Sequence, residues 1–88
     1  MTRALVRIHG RVQGVGFRYS LLSRARSFEL GGWVRNRSDG SVEAAFEGDD
    51  ERVRSMVDWC RHGPAGADVR SIDVEWEVPE GESVFRVR

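Results

Sequence analysis

The chain contains no lysine; all 14 of its basic residues are arginines. That removes Schiff-base chemistry and the lysine of a Gly-x-x-x-x-Gly-Lys nucleotide loop. Genomic base composition is the simplest source of the bias, because the two residues have nearly the same helix propensity. There is one cysteine, Cys60, which excludes an intrachain disulfide, a Cys-x-x-Cys pair and a cysteine-built zinc or iron–sulfur site. His9 and His62 are the only histidines, too few for a metal cluster. No apolar run is long enough for a membrane helix, and the N-terminus lacks the apolar core of a secretory leader. A cytoplasmic protein without membrane contact is the expectation. With 88 residues there is room for one domain, residues 1–88.

The formal net charge is zero but unevenly spread. Residues 1–40 carry eight arginines against Glu29 and Asp39, whereas residues 41–88 carry six against twelve acids. The basic half reads as an anion-attracting end or simply as a solvated face, and charge alone does not separate the two. A general nucleic-acid binder would more often be basic throughout.

Hydrophobic periodicity supplies the fold. Residues 3–9 alternate as a strand with Ala4, Val6 and Ile8 on one face. Three glycines within residues 10–16 mark an irregular turn. From Phe17 the spacing is helical, with Phe17, Leu21, Leu22, Ala25 and Phe28 on one stripe, and Gly31-Gly32 reads as its stop. Residues 33–37 form a second strand, Ser38-Asp39-Gly40 a hairpin turn, and residues 41–47 a third strand with Val42, Ala44 and Phe46 inward and Glu43 and Glu47 outward. A second helix begins at Gly48-Asp49-Asp50, buries Val53, Met56, Val57 and Cys60, and ends at Gly63-Pro64. Residues 68–78 alternate, with Ile72, Val74, Trp76 and Val78 opposite the acids. Residues 84–88 return as a short strand with Phe85 and Val87 inward. This order is an α+β fold of the ferredoxin-like split βαβ type, βαββαβ: a mostly antiparallel sheet with two helices on one face.

Two segments carry chemistry. The first is Gly10-Arg11-Val12-Gln13-Gly14-Val15-Gly16-Phe17-Arg18. Glycines let successive amides turn into one concavity that binds an anion. The following helix adds its positive end, and Arg18 can reach the same anion with two parallel hydrogen bonds. On spacing alone, a glycine-rich connector with a surface arginine remains the simpler reading. The second is Asn36, on the face where Val34 predicts an apolar residue. A strand-end asparagine opening the turn accounts for it equally well. Topology favours a site: in a split βαβ unit the first two strands are parallel, so the glycine loop and Asn36 fall on one sheet edge.

These residues resemble a known family. The Gly10–Arg18 segment is similar to the first acylphosphatase signature. Gly32-Trp33-Val34-Arg35-Asn36 with Asp39-Gly40-Ser41-Val42-Glu43 is similar to the second, and the match runs in order along essentially the whole chain. The resemblance implies an enzyme that hydrolyses small-molecule acyl phosphates to carboxylate and inorganic phosphate, with no metal, cofactor or covalent intermediate. It implies that the amides of Arg11, Val12, Gln13, Gly14, Val15, Gly16, Phe17 and Arg18 bind the phosphate, that the Arg18 side chain completes the site, and that Asn36 orients the attacking water. His9 reads as a strand residue that tunes charge rather than as a base, and Gln13 as a residue that shapes the loop. A monomer is expected, since no large apolar stripe is left over. Of the rivals, an RNA-binding module would carry stacking aromatics on the open sheet face, where Glu43 and Glu47 stand instead. A metal carrier would need a Cys-x-x-Cys, and a non-catalytic anion sensor would bind phosphate without turnover.

Overall fold

A computed structural model describes all 88 residues. The elements run β1 (Thr2–Arg11), α1 (Phe17–Ser27), β2 (Gly31–Asn36), β3 (Val42–Gly48), α2 (Asp50–Cys60), β4 (Asp68–Glu77) and β5 (Phe85–Val87). One five-stranded sheet has the order β4-β1-β3-β2-β5. All its pairings are antiparallel except β2 with β5. Because β1 and β2 both run antiparallel to β3, they are parallel to each other and end on one sheet edge.

The alternation of β1 and β3 places Ala4, Val6, Ile8, Val42, Ala44 and Phe46 in one buried layer under the helices, with Phe17, Leu21 and Ala25 from α1 and Val53, Met56 and Cys60 from α2. Phe46 stacks on Phe85 at 5.7 Å, which ties the short β5 to the core; burying one such ring contributes about 1.5–3 kcal/mol. Asp49 caps α2 by accepting from the Arg52 N–H, and Asp50 and Glu51 stand in its first turn, as the helix dipole favours.

Four expectations are corrected. Gly31-Gly32 is not the stop of α1. The helix ends at Ser27 in a turn through Phe28 and Glu29, where Glu29 takes a φ of 58°. The two glycines instead begin β2. A Cβ on Gly32 would lie 1.9 Å from the Ala45 carbonyl oxygen, so close strand approach demands glycine there. Second, β1 continues through Gly10 to Arg11, past a register shift against β4 at His9/Gly10, so the loop is shorter than its glycines suggested. Third, Trp76 and Val78 are exposed, and Trp76 lies under the Arg54 guanidinium at 5.1 Å. Fourth, α2 ends at Cys60, before Gly63-Pro64.

The outward face of β3 also departs from a solvated one. Glu43 and Glu47 point away from the helices yet are buried. Glu43 accepts from Arg7 and Arg35 at 2.9 and 2.8 Å, the residues directly across from it on β1 and β2. Glu47 accepts from Arg3 and from the Glu80 and Gly81 amides. Burial pushes both carboxyls up, but these partners outweigh it and hold both below the ordinary glutamate range.

Candidate active site

The segment between β1 and α1 is a run of bends, residues 13–16, ending in Gly16. Gly16 is the N-cap of α1 and takes a left-handed φ of 76°, a conformation that glycine adopts without strain. It offers no capping side chain, and the first turn of α1 contains no acid. The leading amides of α1 therefore keep free N–H groups and an uncompensated positive dipole end. The contrast with α2, which carries both a cap and acids, shows that the bare end is particular to α1.

Arg18 stands in that first turn. Its guanidinium lies 6.0 Å from the Tyr19 ring and forms no ion pair. Asn36 is the last residue of β2, paired with Val42 across the ladder, and is exposed where Val34 is buried. A cavity of about 140 Å³ joins them, lined by Val12, Gly14, Gly16, Phe17, Arg18, Tyr19 and Asn36. The convergence expected from parallel β1 and β2 is thus realised. At liquid density the cavity would hold about five waters, room for a phosphoryl group and little more. Among its lining residues only Arg18 and Tyr19 carry an ionisable group.

Three of the expected residues do not line this cavity. Val15 packs against the core. Arg11 lines a different cavity, with His9, Asp39 and Arg70. Gln13 turns its side chain to the β2–β3 hairpin and donates to the Arg37 and Ser41 carbonyls at 2.8 and 2.9 Å. That brace ties the loop to the strand carrying Asn36. The hairpin is itself closed by Asp39, which accepts from the Ser41 hydroxyl and N–H at 2.6 and 2.9 Å; those two bonds hold the Asp39 carboxyl below its usual range. His9 lies outside the cavity and meets Asp73 at 2.9 Å. No group of three His, Cys, Asp or Glu side chains comes together as a metal ion would require. Tyr19 is the lining residue that the sequence reading missed. Its only signal was its position next to Arg18 and off the apolar stripe of α1.

Comparison with known proteins bears on the family and the fold. A model of the Acylphosphatase family matches residues 4–87. An acylphosphatase of Thermococcus kodakarensis is 53% identical over 97% of this chain and 93% of its own length. One from Moorella thermoacetica is 49% identical over 100% and 95%. The crystal structure of acylphosphatase from Bacillus subtilis superposes with a TM-score of 0.96 at 37% identity, covering 100% of this chain and 99% of the other. Matched by the family model over nearly all its length, and about half identical to relatives that it covers almost whole, the chain belongs to the acylphosphatase family.

Proposed function

We propose that this acylphosphatase hydrolyses acyl phosphates to a carboxylate and inorganic phosphate, with the amides of residues 11–18 and the Arg18 guanidinium holding the phosphate and Asn36 orienting the attacking water. The observation that carries these roles is the small cavity shared by the free end of α1, Arg18 and Asn36. Water attacks phosphorus, the bond from phosphorus to the acyl oxygen breaks, and the carboxylate leaves with the electron pair. Its conjugate acid has a pKa of about 4, so no general acid is needed. The proton of the attacking water passes to a phosphate oxygen. This suits a cavity without histidine or carboxylate. The protein's task is to position the water and stabilise charge, the main demand of phosphoryl transfer. Metal and cofactor have no role in this scheme. The 88 residues act as one domain, monomeric and cytoplasmic, away from membranes and nucleic acid. No helix is long and apolar enough to cross a membrane.

The test is hydrolysis of acetyl phosphate by purified protein with a chelator present, beside an alkyl phosphate ester. Cleavage of the anhydride alone is expected, because the ester's leaving group is far poorer. Phosphate binding by folded protein without turnover would replace the hydrolase with an anion sensor.

A further inference from the structure

The phosphate cavity leaves no room for an acyl group of any size, so that part of the substrate must lie outside it. One neighbouring hollow shares a wall with it. Tyr19 lines both the phosphate cavity and a groove of about 740 Å³ that continues along α1. The groove follows one helical stripe, Ser20, Ser23 and Ser27, at spacings of three and four residues. Gly16 in the phosphate cavity heads the same stripe, so the two hollows lie end to end on one face of the helix. The opposite wall is the last turn of α2, with Trp59, and the segment after it, with Gly63 and Pro64. That wall is held in place. Trp59 meets Phe17 edge-on at 5.6 Å, and Gly63 lies so close that a Cβ there would fall 2.3 Å from the Phe17 ring.

The chemistry of the groove is aromatic at its mouth and hydroxylic along its floor, with one cation, Arg24, on its flank. Arg24 lies about 7.5 Å along the helix axis from Tyr19, five residues at 1.5 Å each. Its guanidinium rests 5.8 Å from the Trp59 ring and forms no ion pair. No acidic residue lines the groove, and α1 contains none. A rigid acyl chain laid in the groove past Tyr19 would have this unpaired charge as its only ionised neighbour.

We propose that the groove is the acyl-group subsite and that Arg24 makes it selective for acyl phosphates whose acyl group carries a carboxylate at its far end. This rests on the reading of the adjoining cavity as the phosphate site. Arg24 acts as a specificity determinant and touches no reacting atom.

The experiment compares kcat/KM for benzoyl, 4-methylbenzoyl and 4-carboxybenzoyl phosphate; the rigid para-carboxylate cannot cyclise onto the anhydride. The carboxylated substrate should exceed the methylated one about fivefold, the value of an exposed charge pair of about 1 kcal/mol. The preference should shrink at high salt. Arg24→Gln should abolish it, bringing the kcat/KM ratio of the two para-substituted substrates to about one. Equal rates for the two para-substituted substrates, or a preference that survives Arg24→Gln, would overturn the assignment. So would a preference removed instead by Arg70→Gln, in the separate Arg11 cavity. Calorimetric binding of 4-carboxybenzylphosphonate against benzylphosphonate reads the same selectivity without turnover. Absence of hydrolysis with all three substrates therefore counts against the catalytic reading, and the phosphonate pair still decides the subsite.

Discussion

Replacing Glu47 by glutamine tests whether the buried carboxylate on the open sheet face holds the segment after β4. The Glu47 side chain is 0% exposed. One oxygen accepts from Arg3 at 3.1 Å and the Glu80 N–H at 2.7 Å; the other accepts from the Gly81 N–H at 2.7 Å. An amide has one oxygen, so its NH2 must face a donor at one of these sites, in the best case Gly81. A hydrogen bond to a charged group contributes about 1.5–3 kcal/mol, and a stranded N–H adds its own cost. Arg3 keeps Glu77 and Glu82 at 3.2 and 3.1 Å, so the loss stays below the full penalty of an orphaned buried charge, about 3–5 kcal/mol. The expected loss is about 2–4 kcal/mol, out of a total of about 4–13 kcal/mol for a domain of this length. Urea denaturation at pH 7 measures it. A second readout follows from the sign of the titration. The folded carboxyl is held below its ordinary value of 4.5, so its stabilisation is present above that pH and is lost as pH falls through the folded value. Glutamine does not titrate, so the gap between the two proteins should narrow as the solution is acidified below about pH 5. A loss under about 0.5 kcal/mol at pH 7, or a gap that does not change with pH, would refute the argument.

Arg18→Ala should weaken competitive inhibition by inorganic phosphate at least about 30-fold, the loss of a charge-assisted pair of bonds; unchanged inhibition would move the cradle elsewhere. Asn36→Ala should lower kcat about 100-fold while phosphate affinity changes little, and a near-normal kcat would remove its water-orienting role. Gln13→Ala should cost about 1–2 kcal/mol for two neutral hydrogen bonds, lowering the melting temperature by about 4–16 °C. It should also raise KM as the loop loosens from the hairpin, whereas an unchanged KM would make the brace merely structural. Cys60 is fully buried, and burial pushes its thiol well above the usual range. It should therefore resist a thiol reagent in the native protein and react fully in denaturant; rapid native labelling would contradict its placement.

The parts of this structure legible in the sequence are those where one physical cause leaves one pattern. The alternation in β1 and β3 admits a single inward set, Ala4, Val6 and Ile8 against Val42, Ala44 and Phe46, and all six are buried. Gly31-Gly32 was misread because one residue type answers two demands. Glycine ends helices by adopting positive φ and also lets strands approach, and only the Ala45 carbonyl at 1.9 Å from the missing Cβ of Gly32 separates the cases. Nothing in the structure explains why a glutamate, Glu29, takes the left-handed position instead. The site followed the same logic. Arg18 and Asn36 lay in long motifs whose strand order could be worked out, so their convergence was foreseeable. Tyr19 and the Gln13 brace depend on which way a side chain turns at a loop boundary, and no periodicity encodes that.

The burial of Glu43 and Glu47 bears on where function can sit in this fold. A two-layer α+β protein leaves one sheet face without helices, and that face is where a nucleic-acid-binding relative of the fold would stack bases. Here arginines cross-paired from β1 and β2 cover the acids of β3. Arg7 and Arg35 close on Glu43, and Arg3 joins Glu47 to Glu77 and Glu82. Trp33, the aromatic on the same side of β2, is already covered, with Arg88 at 4.4 Å and Arg35 at 5.7 Å from its ring. The centre of the face is therefore a closed polar layer, with the β3 carboxylates paired and the Trp33 ring occupied. Along α1, by contrast, the guanidiniums of Arg18 and Arg24 form no ion pair, and the amides that follow Gly16 are uncapped. The proposed anion site lies at the sheet edge and along the helix that leaves it. That is where a substrate with a phosphate at one end and a carboxylate at the other would find both of its partners.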